Sequence, residues 1–282
     1  MNFVDLLKPM VKSSIRITYD EKFIGECPIG SSKIGGRPDL PSDFQWSSFY
    51  GKDCDYVADT RPLSFLAQIN LEEINSYDKE DLLPPNGMLY FFYDLATMTW
   101  GFDPHDRGSS RVYYYTGDVS ELKRTEFPSK LLEEYRLPEM PITFSTKADL
   151  PYYDEFCEWH SQCSPKEWEE YYRVVAEMGF DSEEDKISKL LGYADLVQGS
   201  MLLECELTAN CTNPDMPILF STASPQQKEH SKKWTLLFQL DSIETKDYEL
   251  LWGDVGRIYY YINADDLKEQ NFNNCWLILQ CS

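Results

Sequence analysis

Pro62-Leu-Ser-Phe-Leu-Ala-Gln-Ile-Asn-Leu-Glu-Glu-Ile74 is an apolar strand with one glutamine at its centre, and Trp234-Thr-Leu-Leu-Phe-Gln-Leu-Asp-Ser-Ile-Glu244 repeats its design far along the chain. In both, an apolar run reaches Gln68 or Gln239, passes one aliphatic residue and ends on a short polar side chain, Asn70 or Asp241, suited to capping a turn. Other stretches follow in the same order. Lys33-Ile-Gly-Gly-Arg-Pro-Asp-Leu40 is echoed by Lys189-Leu-Leu-Gly-Tyr-Ala-Asp-Leu196, Gly87-Met-Leu-Tyr-Phe-Phe-Tyr93 by Gly256-Arg-Ile-Tyr-Tyr-Tyr-Ile262, and the strand at 111 by Cys275-Trp-Leu-Ile-Leu-Gln280. The four offsets are 156, 171, 169 and 164 residues. Two copies are too few for a solenoid, so the pattern predicts a pseudo-symmetric pair packed face to face.

The expected fold is therefore α+β: a β-rich, internally duplicated, two-lobed globule with a helical acidic insert between the halves. The halves run over 1–118 and 189–282, with the insert at 119–188. Aromatic residues make up 15% of the chain, which favours strands and half-buried surfaces. Asn86-Gly87 marks a tight turn into Met88–Asp94, apolar enough to be buried on both faces. Gly35-Gly36 supplies positive φ or close backbone approach. Residues 2–13 suggest a helix capped by Asn2 and broken at Pro9, Ile15–Tyr19 a strand, and Ser129–Tyr135 a short helix. In the insert, Ser164-Pro-Lys-Glu167 is a capping box before a helix that stops at Gly179.

Net charge is -22 with pI about 4.4, and both halves are acidic: 24 acidic and 16 basic residues in 1–150, 24 and 10 in 151–282. Phosphate-backbone binding needs clustered Lys and Arg, so nucleic acid and anionic membranes are excluded as expected partners, and a basic protein or a neutral ligand fits better. No run of 18 apolar residues occurs, and Met1–Met10 lacks a cationic start before an apolar core. Eight scattered cysteines in a chain of this size read as reduced thiols of a cytoplasmic protein.

The motifs Lys33–Pro41, Phe65–Asn70, Gly87–Phe92, Leu191–Gln198, Leu237–Ser242 and Trp252–Gly256 together resemble the YwqG-like family of bacterial proteins, a domain of unknown function, over roughly residues 30 to 280. The resemblance implies a β-rich α+β fold of duplicated halves and brings no reaction, cofactor or substrate. Relatives near toxin-type genes imply an immunity-type, partner-binding role.

Among individual residues, Gln68 and Gln239 require satisfied amides if buried, and the competing roles are a matched pair of ligand-binding groups or ties between loops. Trp252 beside Asp254 furnishes a strand entrance the way carbohydrate sites are furnished, although hydrolysis would need a second carboxylate. Gln198 and Asp241 complete the binding candidates. Cys157, His160 and Cys163 diverge around a helix and make a poor metal set, so neither a metal nor a cofactor is expected. The favoured function is non-enzymatic protein binding. The rival is a hydrolase or carbohydrate-binding protein with its site in a groove between the halves, lined by Trp252, Asp254, Gln68 and Gln239.

Overall fold

The computed structural model describes residues 2–23, 25–53, 55–160, 163–180 and 187–282; Cys54 and residues 181–186 of the acidic insert lie outside these. Ten strands join in one sheet: β1 (Lys12–Tyr19), β2 (Lys33–Ile34), β3 (Ser64–Asn70), β4 (Met88–Tyr93), β5 (Ser110–Tyr115), β6 (Met140–Asp149), β7 (Ser188–Leu191), β8 (Trp234–Asp241), β9 (Gly256–Asn263) and β10 (Trp276–Cys281). Their order is β10-β9-β8-β7-β1-β6-β2-β3-β4-β5, and every neighbouring pair is antiparallel. β1 and β6 form the centre, and two arms of four strands run outward from them.

The arms match in register. Lys33 sits opposite Gln68 and Gln68 opposite Tyr90, while Lys189 sits opposite Gln239 and Gln239 opposite Tyr259. The register of β3 against β4 slips between Phe65 and Ala67, and that of β8 against β9 between Leu236 and Phe238.

The expected face-to-face lobes are not what forms: both arms belong to one continuous sheet with a shared core. The reason lies in the strands themselves. All six residues of β4 and nearly all of β8 and β9 are buried, so both faces of the sheet need cover. Curling the sheet supplies the inner cover. Phe91 of β4 lies 4.3 Å from Phe238 of β8, and the Tyr260 hydroxyl donates to the Phe92 carbonyl at 2.9 Å. Outer cover comes from helix Leu202–Ala209 over Trp234, Tyr259 and Tyr261, and from loops carrying Leu40, Leu63 and Leu122 over Phe65, Tyr90 and Phe92. The stretch Trp100–Gly101 laces the far edge, its carbonyls accepting from Leu279 N and Trp276 Nε1. Gly101, at φ +80°, has no alternative there, because a Cβ would lie 1.9 Å from the Leu277 carbonyl oxygen.

Segment 119–188 departs from the expected helical insert. It contributes β6, a central strand of the sheet, and only then the helices Tyr153–Trp159 and Trp168–Glu177. Ser129–Tyr135 reduces to a 3-10 turn at Glu133–Tyr135. The capping box forms, with Ser164 N donating to Glu167 Oε2 at 3.1 Å. At the N-terminus the helix spans just Phe3–Leu7, a 3-10 turn through Pro9 follows, and Asn2 makes no side-chain cap.

Candidate anion-binding site

Each arm contains the same lock. Gln68 Oε1 accepts from Asp39 N at 2.9 Å, and its Nε2 donates to Ser31 O and Asp39 Oδ2, both at 2.8 Å. Gln239 Oε1 accepts from Asp195 N at 2.9 Å, and its Nε2 donates to Ile187 O at 2.6 Å and Asp195 Oδ2 at 3.0 Å. Tyr90 and Tyr259 donate to the carbonyls of Asp39 and Asp195. Both amide hydrogens of each glutamine are thus used on the fold itself. The backbone turn between lysine and aspartate also needs what the sequence offers, since Gly35 adopts φ +62° and a Cβ there would lie 2.1 Å from Pro138 O.

Around each lock stands a quartet of two cations and two carboxylates. The first joins Lys33, Arg124, Asp39 and Glu139. Arg124 is fully engaged: Nε donates to Asp39 Oδ1 at 2.6 Å, Nη1 to Glu139 Oε2 at 3.1 Å and Nη2 to Cys27 O at 2.7 Å. Lys33 Nζ meets Glu139 Oε2 at 3.1 Å. The second quartet joins Lys189, Arg16, Asp195 and Asp149. Lys189 Nζ lies 2.5 Å from Asp195 Oδ2 and 2.8 Å from Asp149 Oδ2. Arg16 spends Nη2 on Asp149 Oδ1 at 2.8 Å, but Nη1 stands 3.6 Å from Asp195 Oδ2, beyond hydrogen-bond reach. Its Nε and Nη1 are buried and have no hydrogen-bond partner among the described residues.

Arg16, midway along β1, also lines a cavity of about 360 Å³, walled by Tyr152, Tyr172 and Tyr193, by the end of β6 and by Lys189 of β7. Lys147 and Lys189 join Arg16 against Asp149 and Asp195, which makes the lining cationic in an acidic protein. Burial alone would raise the Asp195 carboxyl, but Lys189 and Arg16 outweigh it and hold it below the usual carboxylate range. Burial pushes the Tyr152 phenol up to about 12, so it remains a hydroxyl donor. Aromatic walls, a buried guanidinium with unused donors and a satisfied lysine suit a flat anion, a carboxylate above all.

The residues singled out from sequence do not line this cavity. Gln68, Gln239 and Trp252 are wholly buried and so cannot face an open groove, while Asp254 is exposed on a turn. Gln198 is exposed and donates to Cys281 O at 2.9 Å. Asp241 is buried, accepting from Ile187 N at 2.8 Å and Arg257 Nε at 2.7 Å. His160 stacks on Phe156 at 4.2 Å, and among the described residues no group of three His, Cys, Asp or Glu side chains is arranged to hold a metal. What sequence reasoning passed over is Lys189: a lysine inside the run Ile187–Leu191, at the position of Lys33, signals a buried cation that demands carboxylates nearby. Arg16 carries the same signal within Ile15-Arg-Ile17.

Residues 32–281 match the family model described as Domain of unknown function (DUF1963), and the chain belongs to that family. No curated protein matches it. No helix among the described residues is long and apolar enough to cross a membrane.

Glu155, on helix Tyr153–Trp159, is buried beside the second quartet with Oε2 unpartnered. Burial pushes its carboxyl from an ordinary 4.5 to about 7, with Lys12 and Lys189 pulling down and Glu158 and Asp195 pushing up. A folded-state value raised above the unfolded one gives stability that is full below about pH 4.5 and is lost as pH climbs through 7. Urea unfolding midpoints measured from pH 4.5 to 8 should therefore show a decline that Glu155→Gln flattens; an unchanged slope in that variant would contradict the assignment.

Proposed function

We propose that this member of the DUF1963 family is a binding protein and that its ligand, a small carboxylate with a flat apolar body, enters the cavity at Arg16. The observation that carries this reading is the contrast between two arginines. Arg124 bonds through Nε, Nη1 and Nη2, whereas Arg16, equally buried in the matching quartet, leaves Nε and Nη1 without hydrogen-bond partners among the described residues, Nη1 only 3.6 Å from Asp195, beside open volume. An unsatisfied buried donor costs about 1–3 kcal/mol, more when charged. A fold that needed Arg16 merely as a strut would gain by satisfying it. Both carboxylates of the cavity are tied up in ion pairs, which supports binding over the proton transfers a hydrolase requires. We further propose that the two arms descend from one copied unit, supported by the shared register, the matching β-bulges and the paired glutamine locks, and that the lineage is the YwqG-like one. A cytoplasmic setting agrees with the seven free cysteines among the described residues.

Calorimetric titration with benzoate, against benzamide as the uncharged control, tests the ligand class. Benzoate should bind and benzamide should bind at least about tenfold more weakly, a difference near 1.4 kcal/mol. Arg16→Met should remove that preference. Equal affinity for the two probes, or an Arg16→Met protein that still prefers benzoate, would overturn the proposal.

A second reading, an immunity-type neutraliser of a basic protein, draws on the helix Trp168–Glu177. There Trp168 is 52% exposed among the exposed acids Asp154, Glu169, Glu170 and Glu177, an aromatic anchor in a negative field. Such a complex should dissociate as salt rises from 0.05 to about 0.5 M and should be lost in Trp168→Ala; retention under either condition counts against it.

A further inference from the structure

A second cavity, of about 590 Å³, opens where the start of β1 meets the loop Glu80–Pro85 and the segments flanking Trp234 and Leu267. Leu83, Pro84, Trp234 and Leu267 give it an apolar floor, and all four are buried side chains. Its charges run against the rest of the molecule. Its lining carries Lys12, Lys232, Lys233 and Lys268 against the acids Glu80 and Asp81, in a chain with 48 acidic residues and 26 basic ones.

The four lysines are not equivalent. Lys232 and Lys233 pair at 2.8 Å with Glu229 and Asp265, acids more than 70% exposed, and such surface pairs contribute little and open readily. Lys12 is the one drawn inward. Its ammonium lies 4.4 Å from the centre of the Tyr193 ring and within 4.0 Å of no carboxylate among the described residues. Burial lowers its pKa, and the nearby Glu155 and Glu80 only partly restore it. A half-buried cation without an ion-pair partner, at the rim of an apolar hollow, is short of one negative charge.

We propose that this cavity binds a medium-chain fatty acid anion, its carboxylate on the Lys12 ammonium and its alkyl chain against Leu83, Pro84, Trp234 and Leu267. The site is separate from the Arg16 cavity and does not depend on it. A carboxylate supplies the counter-charge that Lys12 lacks, and the outer lysines bias the approach of anions over neutral or cationic amphiphiles. The alkyl chain leaves water for an apolar hollow, and each methylene buried there adds to the stabilisation. The cavity volume lies in the range of ordinary small-molecule sites.

Titration calorimetry of the unaltered protein with decanoate, decanol and decylamine, each below its aggregation concentration, tests the head-group requirement without any mutation. Decanoate should bind at least about tenfold tighter than decanol, and decylamine should not bind. Lys12→Met, which keeps the apolar stem, should cut decanoate affinity about tenfold and leave decanol unchanged, while Arg16→Met should leave decanoate binding intact. Equal affinity for the three probes would mean apolar surface alone. Absence of decanoate binding, or a loss in Arg16→Met in place of Lys12→Met, would likewise overturn the proposal.

Discussion

A lysine and an aspartate buried together, six residues apart, with a glutamine from the adjoining strand holding the aspartate by both its backbone and its side chain: this is the constraint on which the architecture turns. Moving two such charges out of water costs several kcal/mol per ion, and the cost is tolerable only where each finds bonded partners. Lys33 and Lys189 are at most 1% exposed, so their carboxylates must be brought to them. That requirement recruits distant chain. Glu139, just before β6, serves Lys33, and Asp149, at the end of β6, serves Lys189. One strand therefore supplies counter-charges to both arms, which explains why β6 sits at the centre of the sheet and not in a peripheral insert.

The same constraint makes the two arms comparable, and the comparison gives the cavity its meaning. In the first arm the arginine, lysine and acids close on one another and on the Cys27 carbonyl. In the second, Arg16 comes from β1, the strand paired with β7, where it sits opposite Lys189, and the chain around it leaves room walled by tyrosines. Two locks of one design are both closed, and the arms differ in the quartets around them: the second leaves Arg16 Nε and Nη1 without hydrogen bonds beside the cavity. Lys12 and Arg16 lie four residues apart on β1, so this first strand carries the cations of both cavities, and Tyr193 serves both, as a wall for one and as the ring beneath the ammonium of the other.

Much of the sheet is legible in the sequence. The glutamine strands, the double burial of Met88–Tyr93 and the capping box at Ser164 all follow from local chemistry, and all form, while Asn86-Gly87 makes a bend with Gly87 at φ +99°. The arrangement of the arms was not legible. Pairing of β1 with β6 joins residues such as Lys12 and Asp149, and no local pattern in either strand names the other. Trp252 and Asp254 misled because their residue types suit a sugar site, whereas the fold buries the indole and turns the carboxylate to solvent. Arg16 and Lys189 could have been found, since a lone cation inside an apolar strand is a demand for a partner. Which carboxylate answers it, and whether a donor is left over, is decided by tertiary packing.

The central claim is that the first quartet is closed structure and the second an open site. Comparing the unfolding free energies of Arg124→Met and Arg16→Met by urea titration tests it most directly. Removing Arg124 takes from Asp39 its ion-pair partner and from the Cys27 carbonyl its donor, with Lys33 left to Glu139, and should cost about 3–5 kcal/mol, the usual penalty for breaking a buried pair. Removing Arg16, whose acids keep Lys189, should cost less than half as much. Equal losses, or a larger loss for Arg16→Met, would make Arg16 a strut and contradict the account.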